Sequence, residues 1–201
     1  MRKTIVALSL SLALVVPSLA LAEGGAGAID AFKQSHGDVT SLVDAGAKTE
    51  AIQAEVDELL DYDWIAKAAL GGPSRYAETC GDRCDEFKTL LTQLIRENYL
   101  KRIKAKNRGT VEYLGEEVRE KATKVDTKVT FVDKDGKTQV VEIDYVMHKV
   151  DGKWHVRDII TEGVSLAKNY KYEINRLYVE GGMDKVITTL QKKLEEVSKS
   201  D

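Results

Sequence analysis

Apolar residues recur at helical spacing up to about residue 107, alternate with polar ones from 110 to 160, and return to helical spacing near the end. Ile29, Phe32, Val39 and Val43 predict an amphipathic helix over 29–43, weakened by Gly37. In "TEAIQAEVDELLDYDWIAKAAL", Ile52, Val56, Leu59, Leu60, Trp64 and Ile65 predict one helix over 49–70, stopped by Gly71-Gly72-Pro73. A further helix over 82–107 carries Phe87, Leu90, Leu91, Leu94, Ile95, Tyr99, Leu100 and Ile103, a stripe wide enough to face a core.

After Gly109 the period changes to two, and "TVEYL", "KATKVDTKVTFV", "TQVVEIDYVMHKV" and "KWHVRDII" read as strands. The Asp-Gly tips of "DKDGK" and "VDGKW" make the last three an antiparallel meander. Val125, Val129 and Phe131 share one face, as do Ile143, Tyr145 and Met147, and Trp154 and Val156. The other face shows Lys124, Asp126, Lys128, Glu142, Asp144, His155 and Arg157, as a sheet wet on one side should. Helices over 165–180 and 183–197, separated by Gly181-Gly182, complete an α+β architecture: an antiparallel sheet of about four strands between N- and C-terminal helices.

The opening "MRKTIVALSLSLALVVPSLALA" changes the compartment. Arg2 and Lys3 precede an apolar run from Ile5 to Val16 and the small-residue site Ala20-Leu21-Ala22, the layout of a secretory signal peptide cleaved after Ala22. The run is shorter than the roughly 20 residues a membrane span needs, and no cysteine follows it to carry a lipid anchor. Residues 23–201 then form a single domain, with 28 basic and 33 acidic residues and a net charge of −5, which argues against a nucleic-acid binder. Export also sets the chemistry of "ETCGDRCDEF": Cys80 and Cys84 are expected to form a local disulfide. A metal site would need further Cys or His ligands, and a redox motif would more typically have two intervening residues where this one has three.

Catalytic and metal-ligating candidates are sparse. His36, His148 and His155 lie on different elements without ligand spacing. Asp144 belongs to the polar face. Asp158 shares parity with Trp154 and Val156, but near the strand end it is expected to accept hydrogen bonds at the corner. Ser165 is placed to cap the following helix, with Gly163 permitting the turn before it. The basic run "KRIKAKNR", Lys101–Arg108, complements a helix C-terminus or contacts anionic headgroups or an acidic partner.

"Trp154-x-x-x-Asp158-x-Ile160-x-Glu162-Gly163-Val164-Ser165-Leu166", followed by Asn169-Tyr170, resembles the signature of the periplasmic phospholipid-binding MlaC family, also called toluene-tolerance auxiliary proteins. "VDELLDYDWIAKAALGG" and "FKTLLTQLIRENYLKRI" are similar to two of that family's helices, so the likeness spans about Val56 to Leu194. This chain departs from the family pattern at "GGPSRYAETCGDRC". The resemblance implies that the sheet is curved into a nuclear-transport-factor-like cone wrapped by the N- and C-terminal helices, with a deep apolar cavity for acyl chains. It also implies a periplasmic carrier that ferries phospholipid between an outer-membrane MlaA-type lipoprotein complex and an inner-membrane ABC transporter bearing an MCE-domain ring. No cofactor, metal or covalent chemistry is implied, the phospholipid being cargo. Strand parity and helical spacing name the lining of that cavity as Val125, Val129, Phe131, Ile143, Tyr145, Met147, Trp154, Val156, Ile159, Val164, Tyr170 and Ile174. The pattern alone does not separate such a lining from ordinary core. A small-molecule isomerase or hydrolase of similar shape, and a ligand-free structural adaptor, are the alternatives.

Overall fold

The computed structural model describes residues 27–199; the expected signal peptide, residues 1–22, lies outside them. Helix α1 spans Ala28–Asp44 and buries Phe32, His36 and Val39. The next apolar run is two helices rather than one: α2, Thr49–Leu59, and α3, Tyr62–Ala69. The break has a local cause. Leu60 adopts an extended conformation and bridges Val156 in parallel, the Asp61 N–H donates to the Val156 carbonyl at 2.9 Å, and the Asp61 carboxylate caps α3 by accepting from the Trp64 N–H at 2.8 Å. An Asp in a helical run is thus read by the backbone as an N-cap.

The stretch after Gly71-Gly72 is also helical. α4, Pro73–Cys80, starts with proline at its first turn, where the missing N–H costs nothing, and a 3₁₀ turn, Gly81–Arg83, leads into α5, Cys84–Ile103. Cys80 and Cys84 are bonded across this corner. A loop this short constrains the unfolded chain only modestly, by about 2 kcal/mol in the chain-entropy picture. Converting both cysteines to serine is therefore expected to lower stability by no more than about 2 kcal/mol in urea denaturation. Alkylation of the untreated exported protein, read by mass, should find no free thiol.

The sheet is antiparallel and, among the described residues, five-stranded in sequence order: β1, Thr110–Arg119; β2, Ala122–Val132; β3, Thr138–Val150; β4, Lys153–Thr161; and β5, Val164–Ser165. The fifth strand is a two-residue return that pairs Thr161 with Val164 across Glu162-Gly163, both with positive φ. Val125 pairs with Tyr145, Val129 with Val141 and Lys128 with Glu142, so the apolar and charged faces fall as the alternation predicts. Thr127 occupies the inner face between Val125 and Val129, and it is tolerated there because its hydroxyl donates to the Ile143 carbonyl at 2.5 Å.

Helix α6, Leu166–Ser198, is interrupted at Gly181 and Gly182, where the backbone leaves helical geometry. One end of the sheet is filled: Val125, Met147 and Val156 are buried in one apolar cluster with Phe87 and Leu91 of α5 and Ile174 and Leu177 of α6. The other end is not.

Candidate functional site

Toward the open end the helices draw away from the sheet and leave a cavity of about 820 Å³. That is near the upper end of the roughly 300–1,000 Å³ usual for small-molecule sites. The sheet contributes Val129 and Phe131 from β2, Val141, Ile143 and Tyr145 from β3, and Ile159 and Thr161 from β4; α5 faces them with Ile95, Tyr99 and Ile103. His36 and Thr40 of α1, and Leu166 and Tyr170 of α6, complete the wall. The exposed lining residues Asn98, Arg102, Asn107 and Val164 mark where it meets solvent.

Seven of the twelve residues named for the lining meet in this cavity: Val129, Phe131, Ile143, Tyr145, Ile159, Val164 and Tyr170. The other five lie away from it. Val125, Met147, Val156 and Ile174 are in the closed apolar cluster, and Trp154 packs against that cluster with Lys149 over its ring at 5.1 Å. Parity gives the face of the sheet correctly for these strand positions, but it does not report depth along the cone. Depth depends on which helix lies opposite.

A bulge in β4 decides another assignment. Between Val156 and Asp158 the register with β3 slips by one residue, so Met147 faces Val156, Val146 faces Asp158 and Tyr145 faces Ile159. Asp158, which strict alternation from Trp154 turns inward, is therefore on the opposite face and Ile159 is inward. The Asp158 carboxylate accepts from the Ser165 hydroxyl at 2.6 Å and from the Ala167 and Ile159 N–H groups at 2.9 Å each. The Ser165 hydroxyl in turn accepts from the Lys168 N–H at 3.1 Å. Carboxylate and hydroxyl together cap α6 and fix the corner on which Val164 and Tyr170 enter the cavity. Asp144, on the charged face, lies 3.6 Å from Lys124.

The wall is electrically quiet. Burial pushes the Tyr99 and Tyr145 hydroxyls well up and the Tyr170 hydroxyl up to about 12, so all three stay neutral near pH 7. His36 stacks on Phe32, and its Nδ1 lies 3.0 Å from the Tyr113 hydroxyl. Burial, helped by the Arg108 charge, holds its pKa below the ordinary value. A depressed histidine pKa means the unfolded chain binds the proton more tightly. The stability His36 contributes is full above its unfolded pKa, about 6.5, and is lost as pH falls through the lower folded value. His36→Gln should flatten the pH dependence of the urea midpoint below pH 6.5 and leave it unchanged above.

Alternation leaves the helical lining unmarked. Ile95, Tyr99 and Ile103 belong to the same apolar stripe as the core-facing residues of α5, and nothing in their spacing distinguishes the two. Val141 carries a usable signal, since it shares parity with Ile143. Among the described residues no group of histidine, cysteine and carboxylate side chains has the arrangement of a metal site, and no helix is long and apolar enough to cross a membrane.

Comparison with known proteins matches residues 30–192 to the profile of the family described as "MlaC protein". A search of curated proteins finds no match. Among solved structures, the phospholipid-binding protein from Ralstonia solanacearum, solved in complex with a phospholipid, is similar with a TM-score of 0.69 and 19% identity, over 86% of this chain and 99% of that one. At that identity the likeness establishes the fold. A SEC-C motif containing protein from Rhodopseudomonas palustris aligns with a TM-score of 0.28 and 16% identity, over 64% of this chain and 91% of that one, too loosely to bear on function.

Proposed function

The chain belongs to the MlaC family, and from that premise we propose that it is a periplasmic phospholipid carrier, not an enzyme. Acyl chains occupy the cavity between sheet and α5. The single observation that carries this reading is the cavity itself: about 820 Å³, apolar along its strands, and open at one end. An adaptor without a ligand would be stabilised by closing such a space, because unfilled apolar volume forfeits packing.

The energetics favour a passive shuttle. Two acyl chains have about 30 methylene units, and at roughly 0.8 kcal/mol each their exposure to water costs on the order of 24 kcal/mol. A carrier does not release such cargo to solvent. An apolar cavity matches the bilayer interior, so exchange at a docked membrane complex is near neutral in free energy. Direction then comes from the partners, an outer-membrane MlaA-type lipoprotein complex and an inner-membrane ABC transporter with an MCE-domain ring. The expected leader, residues 1–22, supports the compartment. Organic extraction of protein exported and purified without detergent should yield diacyl phospholipid near one equivalent. Repeated recovery of lipid-free protein would count against carriage.

A further inference from the structure

The mouth of the cavity is uneven in charge. One side is the last turn of α5 and the segment after it, where Arg102 and Arg108 line the opening. The other is the β4–β5 corner with Glu162. Two of these three charges are engaged. Arg108 is ion-paired with Asp44, and the Glu162 carboxylate accepts from the Glu142 N–H at 2.7 Å. Arg102 is exposed, and among the described residues no carboxylate pairs with it. It lines the cavity together with Tyr145 of the inner wall, and its charge opposes the upward push of burial on the Tyr145 hydroxyl. From Lys101 to Arg108 there are five basic residues and no acidic one, which concentrates positive potential at this lip.

We propose that Arg102 is a headgroup-recognition residue, its guanidinium donating to a phosphate oxygen of the lipid whose chains fill the cavity, with Arg108 flanking it. The assignment rests on the carriage reading and adds to it a selectivity for phosphate-bearing over neutral diacyl lipids. The planar guanidinium fork suits a phosphodiester, and an apolar floor beneath a charged lip matches the two ends of an amphiphile. Arg102 also sits where a cation complements the end of α5. That role affects folding, whereas headgroup recognition affects which lipid is held.

The exported protein is equilibrated with vesicles containing phosphatidylglycerol and diacylglycerol of identical chains, and the ratio of the two in the recovered protein is measured. Arg102→Gln should lower the phosphatidylglycerol-to-diacylglycerol ratio about five- to tenfold relative to wild type, as expected for loss of one charge-assisted contact. Arg102→Lys should retain most of the preference, and 0.5 M salt should erode it in the wild type. An unchanged ratio in Arg102→Gln overturns the proposal, even where its melting temperature falls, because that pair of results describes a helix-end role. If millimolar inorganic phosphate stabilises the wild type but not Arg102→Gln, and the ratio does not respond to the substitution, the ligand is free phosphate and the headgroup assignment is overturned. Failure of the wild type to take up either lipid would overturn the carriage reading instead, and this proposal with it.

Discussion

Val125→Asp is expected to prevent folding, while Val129→Asp, four residues along the same strand and on the same face, is expected to fold and to lose its lipid. Both valines are buried, at 0% and 8% exposure, and both face inward. They differ in what lies opposite. Val125 belongs to the closed cluster, so a carboxylate there is stripped of water without a partner, a cost of several kcal/mol against a total stability of about 5–15 kcal/mol. Val129 borders the cavity, where on the carriage reading water would hydrate a carboxylate in the lipid-free form. There the same substitution should cost no more than about 2 kcal/mol in the lipid-free form, yet at least tenfold in retained lipid, since a charge against acyl chains is unsolvated. Soluble yield, urea midpoint and extracted lipid, followed together on both variants, check this. Equal destabilisation at the two sites, with normal lipid in any folded Val129→Asp, would make both positions ordinary core.

A second large effect is expected at Gly109, on the lip of the same cavity. Its φ is +84°, and a Cβ there would lie 2.5 Å from the Thr130 carbonyl oxygen and 2.9 Å from the Phe131 Cβ. The segment after α5 therefore crosses the end of β2 at a distance only glycine permits. Gly109→Ala should cost about 2–4 kcal/mol, combining left-handed strain with a clash against backbone. Gly136, at the tip of the β2–β3 hairpin, supplies the control. Its φ is +77°, but an added Cβ meets nothing within 4 Å, so Gly136→Ala should cost only about 1 kcal/mol. The difference between the two urea midpoints isolates the close approach. If Gly109→Ala is no worse than Gly136→Ala, the lip yields and the mouth is not rigidly set.

The parts of this architecture visible in the sequence are those governed by local periodicity. Alternation placed Val129, Ile143 and Tyr145 on the inner face, Asp-Gly marked the tips of the β2–β3 and β3–β4 hairpins, and Gly181-Gly182 marked the interruption of the last helix. What escaped depends on contacts between distant residues. Asp61 ends a helix because Leu60 is drawn into pairing with Val156. The bulge at Arg157 reverses the parity of Asp158, and the Arg157 guanidinium stacks over the Trp64 ring at 5.0 Å, a contact no pattern in β4 anticipates. The same limit separates Val129 from Val125. Two valines of one strand read identically until the helix opposite each is known, so cavity and core are indistinguishable by alternation.

Native mass spectrometry of the exported protein, purified without detergent, tests carriage most directly. The expected spectrum is that of a chain beginning at Glu23, carrying one disulfide and one diacyl phospholipid, with the lipid lost on Val129→Asp. A wild-type spectrum showing only the bare polypeptide, in preparations that fold and retain the disulfide, would contradict it.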